Sequence, residues 1–442
     1  MRGTTSKLGE KTLRACFVSP CTYEFLGAER SLLELVEMLA KMGVDCSVIL
    51  PCKGPLFREL ESRGIEVISM PFTWWGGLPR SYLAGWTTPS MIRTYLSGSS
   101  PMRRIVRTAL HLLTVPLMAA RMRLLRCDVV YTNTMTVCAG ALAARLLRRP
   151  HAWHIREFGR EDLGLVFDLG ERLSMRLMDQ LSSILIVNSQ AVASKFMPIF
   201  GPRKVRLVYG SVEVDWENVK TKFPIPEGTN VRCVVVGSIQ KSKGQEDAVL
   251  ATSELLRLGL QPVLWIVGPT VDRQYERRLH RIVHDLGLER FVRFVGGMDN
   301  PFSVMLQADV VLICSRSEAF GRVTVEGMLA RKPVIGTRSG GTSELIQEGI
   351  NGLLYNPGDY RELARKISYL SSNPAEVQRM GQKGCEWAQT RFDQARFARE
   401  ILGLLTQIVK SDSKRSTDQI ASLVEYMTMT QTGEHIILQK AM

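Results

Sequence analysis

Short apolar runs alternate with helix-length amphipathic segments along the first half of the chain. Strand-like RACFVSP at 14–20 is followed by helix-like AERSLLELVEMLAKMG at 28–43 and by strand-like CSVILP at 46–51. Two short apolar runs joined by a helix are typical of a βαβ unit with parallel strands. We therefore predict a parallel α/β domain over residues 1–212. The same rhythm recurs at 128–133, 136–148, 151–155 and 183–189.

A second α/β set follows a connection rich in proline and glycine. The run KFPIPEGTN has neither helical nor strand periodicity, so we interpret 213–230 as an interdomain linker. We predict a second domain over 231–388, which makes the fold class α/β with two Rossmann-like domains. The carboxyl ends of their strands would face each other across a central cleft. The strand-like runs of the second domain are 232–238, 262–268, 292–296, 309–315 and 333–337.

The end of the chain carries a weaker pattern. Residues 389–409 have helical periodicity and are predicted to form a helix that closes the architecture. Residues 410–442, which include SDSKRSTDQ and TMTQTGEH, lack a sustained pattern. We interpret them as a mobile or weakly helical tail.

Residues 74–126 depart from the α/β rhythm, because an aromatic cluster is followed by PMRRIVRTALHLLTVPLMAARMRLLR. Only thirteen residues separate Arg107 from Arg121 and Pro116 interrupts them, whereas a spanning helix needs about 20 apolar residues. We therefore expect no membrane span. Two interpretations stay open: a segment lying in the interface with its arginines towards anionic headgroups, or an ordinary buried helix pair. The aromatic residues are Trp74, Trp75, Tyr82, Trp86 and Tyr95, and the first arginines are Arg103, Arg104 and Arg107.

Composition narrows the class of protein. The length of 442 residues suits two domains, and 45% hydrophobic with 23% charged residues is typical of a globular protein. The nine cysteines form no Cys-x-x-Cys pair and the N-terminus lacks the apolar run of a signal peptide, so we expect a cytoplasmic protein with reduced thiols. A formal net charge of +14 favours polyanionic partners. Without zinc-finger spacing or an RNP-like aromatic block, we expect no nucleic-acid partner.

The most informative segment is ADVVLICSRSEAFGRVTVEGMLARKPVIG at 308–336, predicted as strand, loop, helix and strand. The helix would begin near Arg322, after Gly321, and its unpaired backbone N–H groups would form an anion site suited to a diphosphate. Glu318 on the loop and Glu326 about one turn into the helix could accept hydrogen bonds from sugar and ribose hydroxyls. The alternative is that Glu326 only offsets the helix dipole and that Glu318 is solvated.

Together with neighbouring blocks, this segment resembles the retaining GT-B glycosyltransferases of family four, the glycosyl transferases group 1. The resemblance implies a GT-B fold, in which two Rossmann-like domains face each other across a cleft. It also implies an enzyme that transfers a hexose-type sugar from a nucleotide diphosphate sugar to a glycan or lipid-linked acceptor, with retention of the anomeric configuration. The other matching blocks are VVVGSIQKSKG at 234–244, RFVGG at 293–297, GGTSELI at 340–346 and GINGLLY at 349–355.

The resemblance further implies roles for individual residues. Glu318 would contact the donor hexose, Glu326 the ribose and Lys243 the diphosphate. On the acceptor side it implies Gly27, within FLGAE, and His154, within WHIREF. The implied catalytic residues are Glu318, His154 and Lys243. The implied donor-binding residues are Gly237, Ser238, Lys243, Glu318, Ala319, Phe320, Gly321, Arg322, Val323 and Glu326.

Two positions depart from the family pattern. Ser238 stands where members commonly carry an arginine, so a phosphate-facing cation is either missing or supplied by Lys241. Leu26 replaces the usual first glycine of the first-domain loop. Structural alternatives also stay open, since a histidine at a strand end is usually a structural residue and a lysine near a turn usually faces solvent.

The chain contains no Asp-x-Asp motif, so we expect no metal and no cofactor, with Lys243 and the helix start stabilising the departing diphosphate. A rival hypothesis, motivated by Ser238 and Leu26, is a nucleotide-sugar-binding protein that has lost transfer activity. A membrane or nucleic-acid scaffold would explain the charge but not the glutamate pair.

The expected partners are a nucleotide sugar, a glycan or lipid-linked acceptor and, through 74–126, an anionic membrane surface. Such an enzyme would serve polysaccharide or glycolipid synthesis, either in the cytoplasm or peripherally on the inner face of the cell membrane.

Overall fold

The computed structural model describes residues 12–20, 27–77, 101–217, 219 and 223–431. The strands described in the first domain are β1 (Arg14–Val18), β2 (Asp45–Leu50), β3 (Glu66–Ser69), β4 (Gly76–Gly77), β5 (Val129–Asn133), β6 (His151–Ile155), β7 (Val166–Phe167), β8 (Ile184–Val187) and β9 (Val205–Leu207). Seven of them form a parallel sheet in the order β3-β2-β1-β5-β6-β8-β9. The strands β4 and β7 pair separately and antiparallel.

Helices cover both faces of this sheet. They are α1 (Gly27–Lys41), α2 (Pro55–Ser62), α3 (Pro101–Leu124), α4 (Ala139–Leu146), α5 (Arg160–Leu163), α6 (Glu171–Leu181) and α7 (Gln190–Phe200). Successive residues of β1 point to opposite faces, as strand geometry requires. Phe17 packs in the cluster that contains α1 residues such as Leu32, whereas Cys16 packs with Met118 of α3 and Ala143 of α4. Burial on both faces explains why the strands are continuous apolar runs.

The second domain repeats this architecture. Its strands are β10 (Val231–Val236), β11 (Pro262–Val267), β12 (Val292–Gly296), β13 (Val310–Ile313), β14 (Val334–Thr337) and β15 (Gly352–Tyr355), in the parallel order β12-β11-β10-β13-β14-β15. Its helices are α8 (Gln245–Arg257), α9 (Arg273–Asp285), α10 (Phe302–Gln307), α11 (Arg322–Leu329), α12 (Thr342–Leu345), α13 (Tyr360–Ser372) and α14 (Pro374–Arg391), with a 3₁₀ turn at Lys241–Lys243. The strand order reverses beside β1 and beside β10, and ligands of such sheets bind at these switch points.

The last helix, α15 (Gln394–Gln431), returns to the first domain. Phe397, Ile401 and Leu405 are buried in the cluster that contains α1. A closing helix was expected at 389–409, with a mobile or weakly helical tail after it. The structure moves the bounds of the closing helix, because α14 ends at Arg391 and α15 runs from Gln394 to Gln431, and the tail is helical as far as residue 431. Residues 432–442 lie outside the described residues.

Pro116 was expected to interrupt the apolar stretch within 74–126. Helix α3 instead runs through this proline without a break. By length and composition alone, residues 104–124 could cross a membrane. However, 35% of the apolar stretch in this segment is buried inside the protein. Arg107 is buried, and its Nε donates to Asp168 at 2.7 Å, so it cannot face headgroups. Trp75 is also buried, and its indole N–H donates to the Met135 carbonyl. Tyr82, Trp86 and Tyr95 lie outside the described residues.

The other face of α3 is apolar and exposed. Its large side chains are between 63% and 73% exposed. Exposed arginines continue the surface at the end of α3 and along the adjoining α4. We call this the α3 surface, which consists of the apolar residues Met102, Ile105, Leu113, Leu117 and Leu124 and the cations Arg121, Arg123, Arg126, Arg145, Arg148 and Arg149.

Candidate active site in the interdomain cleft

Two adjoining cavities lie where the carboxyl ends of the two sheets meet. The helix-side cavity, about 370 Å³, extends beside the start of α11 and includes Gly321 and Glu326. The strand-side cavity, about 300 Å³, extends towards β5 and β6 and includes Trp74 and Glu157. Residues from both domains form the boundary between them. The boundary residues that line both cavities are Ala28, Arg156, Ser238, Lys243, Glu318 and Ala319.

An ion pair between Lys243 and Glu318 occupies this boundary. The Nζ of Lys243 lies 2.7 Å from Oε2 of Glu318, and the Ser315 hydroxyl donates to the same oxygen at 2.9 Å. Lys243 ends the 3₁₀ turn, and Gly244 follows with φ of +63°. A side chain at Gly244 would place Cβ 2.1 Å from the carbonyl oxygen of Cys314, so only glycine allows this approach. The lysine is thus fixed against the end of β13.

The loop that carries Glu318 is held by a pair of glycines. The N–H of Gly341 donates to the Glu318 carbonyl at 2.7 Å, and a Cβ at Gly340 would lie 2.3 Å from that oxygen. Gly321, with φ of +101°, directly precedes α11, and the residues at the helix start, from Gly321 to Val323, line the helix-side cavity. Sequence reasoning matched GGTSELI to the family without giving these glycines a role.

The remaining residues of the expected donor set divide into cavity and core residues. Gly237, Ser238, Ala319, Val323 and Glu326 line the helix-side cavity. Phe320 also borders it, but its ring packs 5.6 Å from Phe392 and 6.4 Å from Tyr209, measured between ring centroids. Its side chain therefore supports the cleft wall.

Arg322 has a different environment from the one expected of a donor-binding residue. Its Nη2 donates to Glu34 of α1 at 2.8 Å and its Nη1 donates to the Ser211 carbonyl at 3.0 Å. Its Nε lies 3.6 Å from Glu326. The guanidinium is therefore committed to a contact between the domains, whereas the backbone at the start of α11 remains on the cavity wall. On the first-domain side, Gly27, which was expected on the acceptor side, faces this arginine across the cleft and lines the helix-side cavity.

His154 does not reach the cleft, which corrects the acceptor-side and catalytic role expected for it. It lies within β6, is fully buried, and its Nδ1 contacts the Tyr131 hydroxyl. The ring of Phe397 in α15 covers it, with 6.2 Å between the ring centroids. Burial, with a smaller contribution from Arg156, lowers the pKa of His154 well below its usual value, so the ring stays neutral. His154 lies inside the sheet because β6 continues past it to Ile155.

The residues just beyond β6 reach the cleft instead. Arg156 lines both cavities and Glu157 the strand-side one. Glu157 accepts backbone N–H groups from Met135 at 2.5 Å and from Arg156 at 3.0 Å. Burial, and then the nearby Asp162, raise the pKa of Glu157 to about 8. The signal in the sequence was the charged pair that directly follows HAWHI. Sequence reasoning also missed Asn133, at the end of β5, and Glu29 in α1.

The cysteines that the structure describes are all free, and all but Cys52 are buried.

Family models match both domains. Residues 217–387 match the model described as glycosyl transferases group 1, and residues 27–209 match the glycosyl transferase 4-like domain. The chain is similar to the lipopolysaccharide core biosynthesis glycosyltransferases LpsE (26% identical, 50% of this chain and 63% of that protein) and LpsD (32%, 36% and 45%) of Rhizobium meliloti. It is also similar to N-acetyl-alpha-D-glucosaminyl L-malate synthase of Bacillus anthracis (24%, 52% and 61%). The chain thus spans about half of the length of these curated relatives.

Solved structures confirm the predicted fold class. The Anabaena protein Alr3699/HepE in complex with UDP superposes with a TM-score of 0.68 at 23% identity, over 89% of this chain and 100% of that one. A glycosyltransferase from Rickettsia africae gives a TM-score of 0.70 at 17% identity, over 91% and 100%. At these identities the likeness is one of fold: two Rossmann-like domains that face each other across a cleft.

Proposed function

Because the chain belongs to the group 1 glycosyltransferases and has their GT-B fold, we propose that it transfers a hexose-type sugar from a nucleotide diphosphate sugar to a glycan or lipid-linked acceptor. The helix-side cavity would hold the donor and the strand-side cavity the acceptor. The donor would lie with its diphosphate near Lys243 and the start of α11.

The observation that carries the proposal is the Lys243 to Glu318 pair at the boundary of the two cavities, 2.7 Å apart. A cation and a carboxylate held together suit a ligand that has an anionic part and a part rich in hydroxyl groups. The lysine and the helix start would bind phosphate oxygens, whereas Glu318 would accept hydrogen bonds from sugar hydroxyls. Glu326, one turn into α11, would accept hydrogen bonds from the ribose hydroxyls.

Cleavage of the anomeric C–O bond leaves negative charge on the departing nucleoside diphosphate and positive charge on the sugar. Fixed donors that stabilise this charge lower the barrier without reorganising. We propose that Lys243 and the start of α11 supply this stabilisation, so that transfer needs no divalent metal. We also propose that the acceptor attacks from the face that the diphosphate leaves, which retains the anomeric configuration.

The relatives and the α3 surface support the proposed acceptor class. The relatives LpsE and LpsD are named for lipopolysaccharide core biosynthesis, which supports a role in polysaccharide or glycolipid synthesis. The α3 surface combines exposed apolar side chains with exposed arginines, which suits an anionic bilayer. We therefore propose a cytoplasmic enzyme that is peripheral on the inner face of the cell membrane.

A thermal-shift panel of UDP-, GDP-, ADP- and TDP-sugars tests the donor, since a ligand stabilises a protein according to its concentration relative to its Kd. One donor should stabilise the protein and be consumed. Stabilisation without consumption would favour a binding protein that has lost transfer activity.

Two further measurements test the chemistry. NMR of the product should show the anomeric configuration of the donor, and an inverted product would refute retention. Transfer should continue in EDTA. Full inhibition by EDTA that manganese reverses would refute the metal-independent mechanism.

A further inference from the structure

Arg156 is a cation at the meeting point of the two cavities, and it comes from the first domain. It directly follows β6 and lines both cavities together with Ser238 and Lys243 of the second domain. Its Nε donates to Asn133 Oδ1 at 2.6 Å and its Nη1 donates to Ser31 Oγ at 2.8 Å. The guanidinium is therefore fixed in place by neutral groups.

Among the described residues Arg156 has no ion-pair partner, and nearby acidic groups offset its charge only at longer range. Within the described part of the chain, no carboxylate lies within ion-pair distance of its guanidinium, and its Nη2 is buried without a hydrogen-bond partner. Lys243 and Arg322, by contrast, each contact a carboxylate, Glu318 and Glu34 respectively. Desolvation lowers the pKa of Arg156, which reflects the cost of holding this charge away from water. A buried cation with an unused donor is stabilised by an anionic ligand.

We propose that Arg156 binds the donor's diphosphate and supplies the cation that Ser238 does not provide. The inference rests on the proposed function and adds a substrate-contacting residue to it. Phosphate oxygens between Arg156 and Lys243 would join the two domains, since one residue follows β6 and the other follows β10. Arg156 would then balance the charge that develops on the leaving diphosphate.

The surroundings of Arg156 favour the donor's phosphates over an anionic acceptor. The strand-side cavity also contains the acidic residues Glu29 and Asp162, neither of which lines the helix-side cavity. An acceptor with its own phosphate or carboxylate would lie against these acidic groups, which disfavours it. The diphosphate, placed at the start of α11, avoids them.

Calorimetric titration of the full-length protein with UDP, GDP, ADP and TDP, and with the matching nucleosides, tests the proposal. For the diphosphate that the wild type binds, Arg156→Gln should raise Kd roughly tenfold to a hundredfold and leave nucleoside binding unchanged. The control Arg365→Gln, on the exposed face of α13, should leave both unchanged. Ser238→Arg added to Arg156→Gln should recover part of the lost affinity, because it restores a cation at the same boundary.

The outcomes separate this inference from the proposed function. If the wild type binds none of the four diphosphates, the proposed function fails. If it binds one and Arg156→Gln binds it equally well, or loses only acceptor use, the role of Arg156 is overturned. Should Arg156→Gln fail to fold, Arg156→Lys replaces it, because losing the forked guanidinium should still weaken diphosphate binding relative to nucleoside binding. Unchanged diphosphate binding in the lysine variant would also overturn the inference.

Discussion

Arg322 of the second domain and Glu34 of the first form an ion pair with two hydrogen bonds, at 2.8 and 3.2 Å. Ser211, in the connection between the domains, donates to Glu34 at 2.8 Å and accepts from Arg322 through its carbonyl. Both charged side chains are buried, with exposed fractions of 12% and 9%. Because Arg322 is the first residue of α11, the pair fixes the helix that lines the proposed donor site to α1 of the first domain.

Removal of Glu34 should destabilise the protein strongly, because Arg322 would lose its hydrogen-bonded counterion and keep only Glu326, which lies 3.6 Å from its Nε. For Glu34→Ala we expect a loss of about 3 to 5 kcal/mol in the free energy of unfolding, measured by chemical denaturation. Glu37→Ala is the matched control on the same helix. Glu37 pairs with Lys41 and Arg63 at the surface, so its loss should cost about 0.2 to 1 kcal/mol. Equal, small losses in the two variants would show that the buried pair does not hold the domains together.

The two lysines of GSIQKSKG should differ in their effect on donor use. Lys243 contacts Glu318 in the cleft, whereas Lys241 is exposed. Lys243→Ala should lower kcat/KM roughly tenfold to a hundredfold, because it removes a charged hydrogen bond to the diphosphate. Lys241→Ala, the control, should change kcat/KM little. Small and equal losses of kcat/KM in both variants would mean that the start of α11 binds the phosphates without help from either lysine.

The local pattern of the chain predicted most of the fold. The run HAWHI coincides with β6, and the helix expected at 28–43 is α1, one or two residues shifted. The short strands β3 and β15 were not predicted, because four apolar or mixed residues give too little periodicity to distinguish from a loop. The sequence left open whether the segment past 410 is mobile or helical, since it lacks a regular apolar repeat, and α15 continues through it to Gln431.

The sequence predicted only those parts of the candidate site that are formed by residues close together in the chain. The loop at Glu318, the start of α11 and Lys243 are local features, and they meet as expected at one end of the sheet. His154 was expected at the cleft, but it is buried and Arg156, two residues further on, lines the cavities, because the pattern shows a strand but not where its last paired residue lies. The Glu34 to Arg322 pair joins positions 288 residues apart, and no local pattern predicts such a contact.

Glu157 should make stability fall as pH rises. Its pKa in the folded protein is raised to about 8, whereas the ordinary value is 4.5. Between these values the folded state keeps a proton that the unfolded state has released, so the free energy of unfolding decreases with pH. Glu157→Gln should remove this decrease between about pH 5 and 8, as measured by denaturation at each pH. Glu161→Gln, a control at a half-exposed carboxylate, should keep the wild-type slope. An unchanged slope in Glu157→Gln would contradict the raised pKa.

The α3 surface should bind anionic bilayers. Its exposed leucines would enter the interface while its arginines contact lipid headgroups, and each such cation contributes about 1 kcal/mol near an anionic membrane. In sedimentation with vesicles of anionic and neutral lipid at low salt, Arg121→Glu with Arg123→Glu should weaken binding at least roughly tenfold. Leu113→Asp with Leu117→Asp should weaken it as well, because charged side chains would replace the apolar contact.

Matched controls test whether vesicle binding depends on the α3 surface itself or on charge and apolar exposure in general. Leu258→Asp with Leu286→Asp changes two exposed leucines of the second domain and should leave vesicle binding intact. Added salt should weaken the wild-type binding, since about 0.15 M salt screens exposed charges beyond about 8 Å. Pure neutral vesicles should bind poorly, because the arginines then lack a counter-charge. Absence of binding to anionic vesicles at low salt, or equal binding by the Arg121 and Arg123 reversal, would show that the α3 surface serves another purpose and that the acceptor reaches the cleft without the membrane.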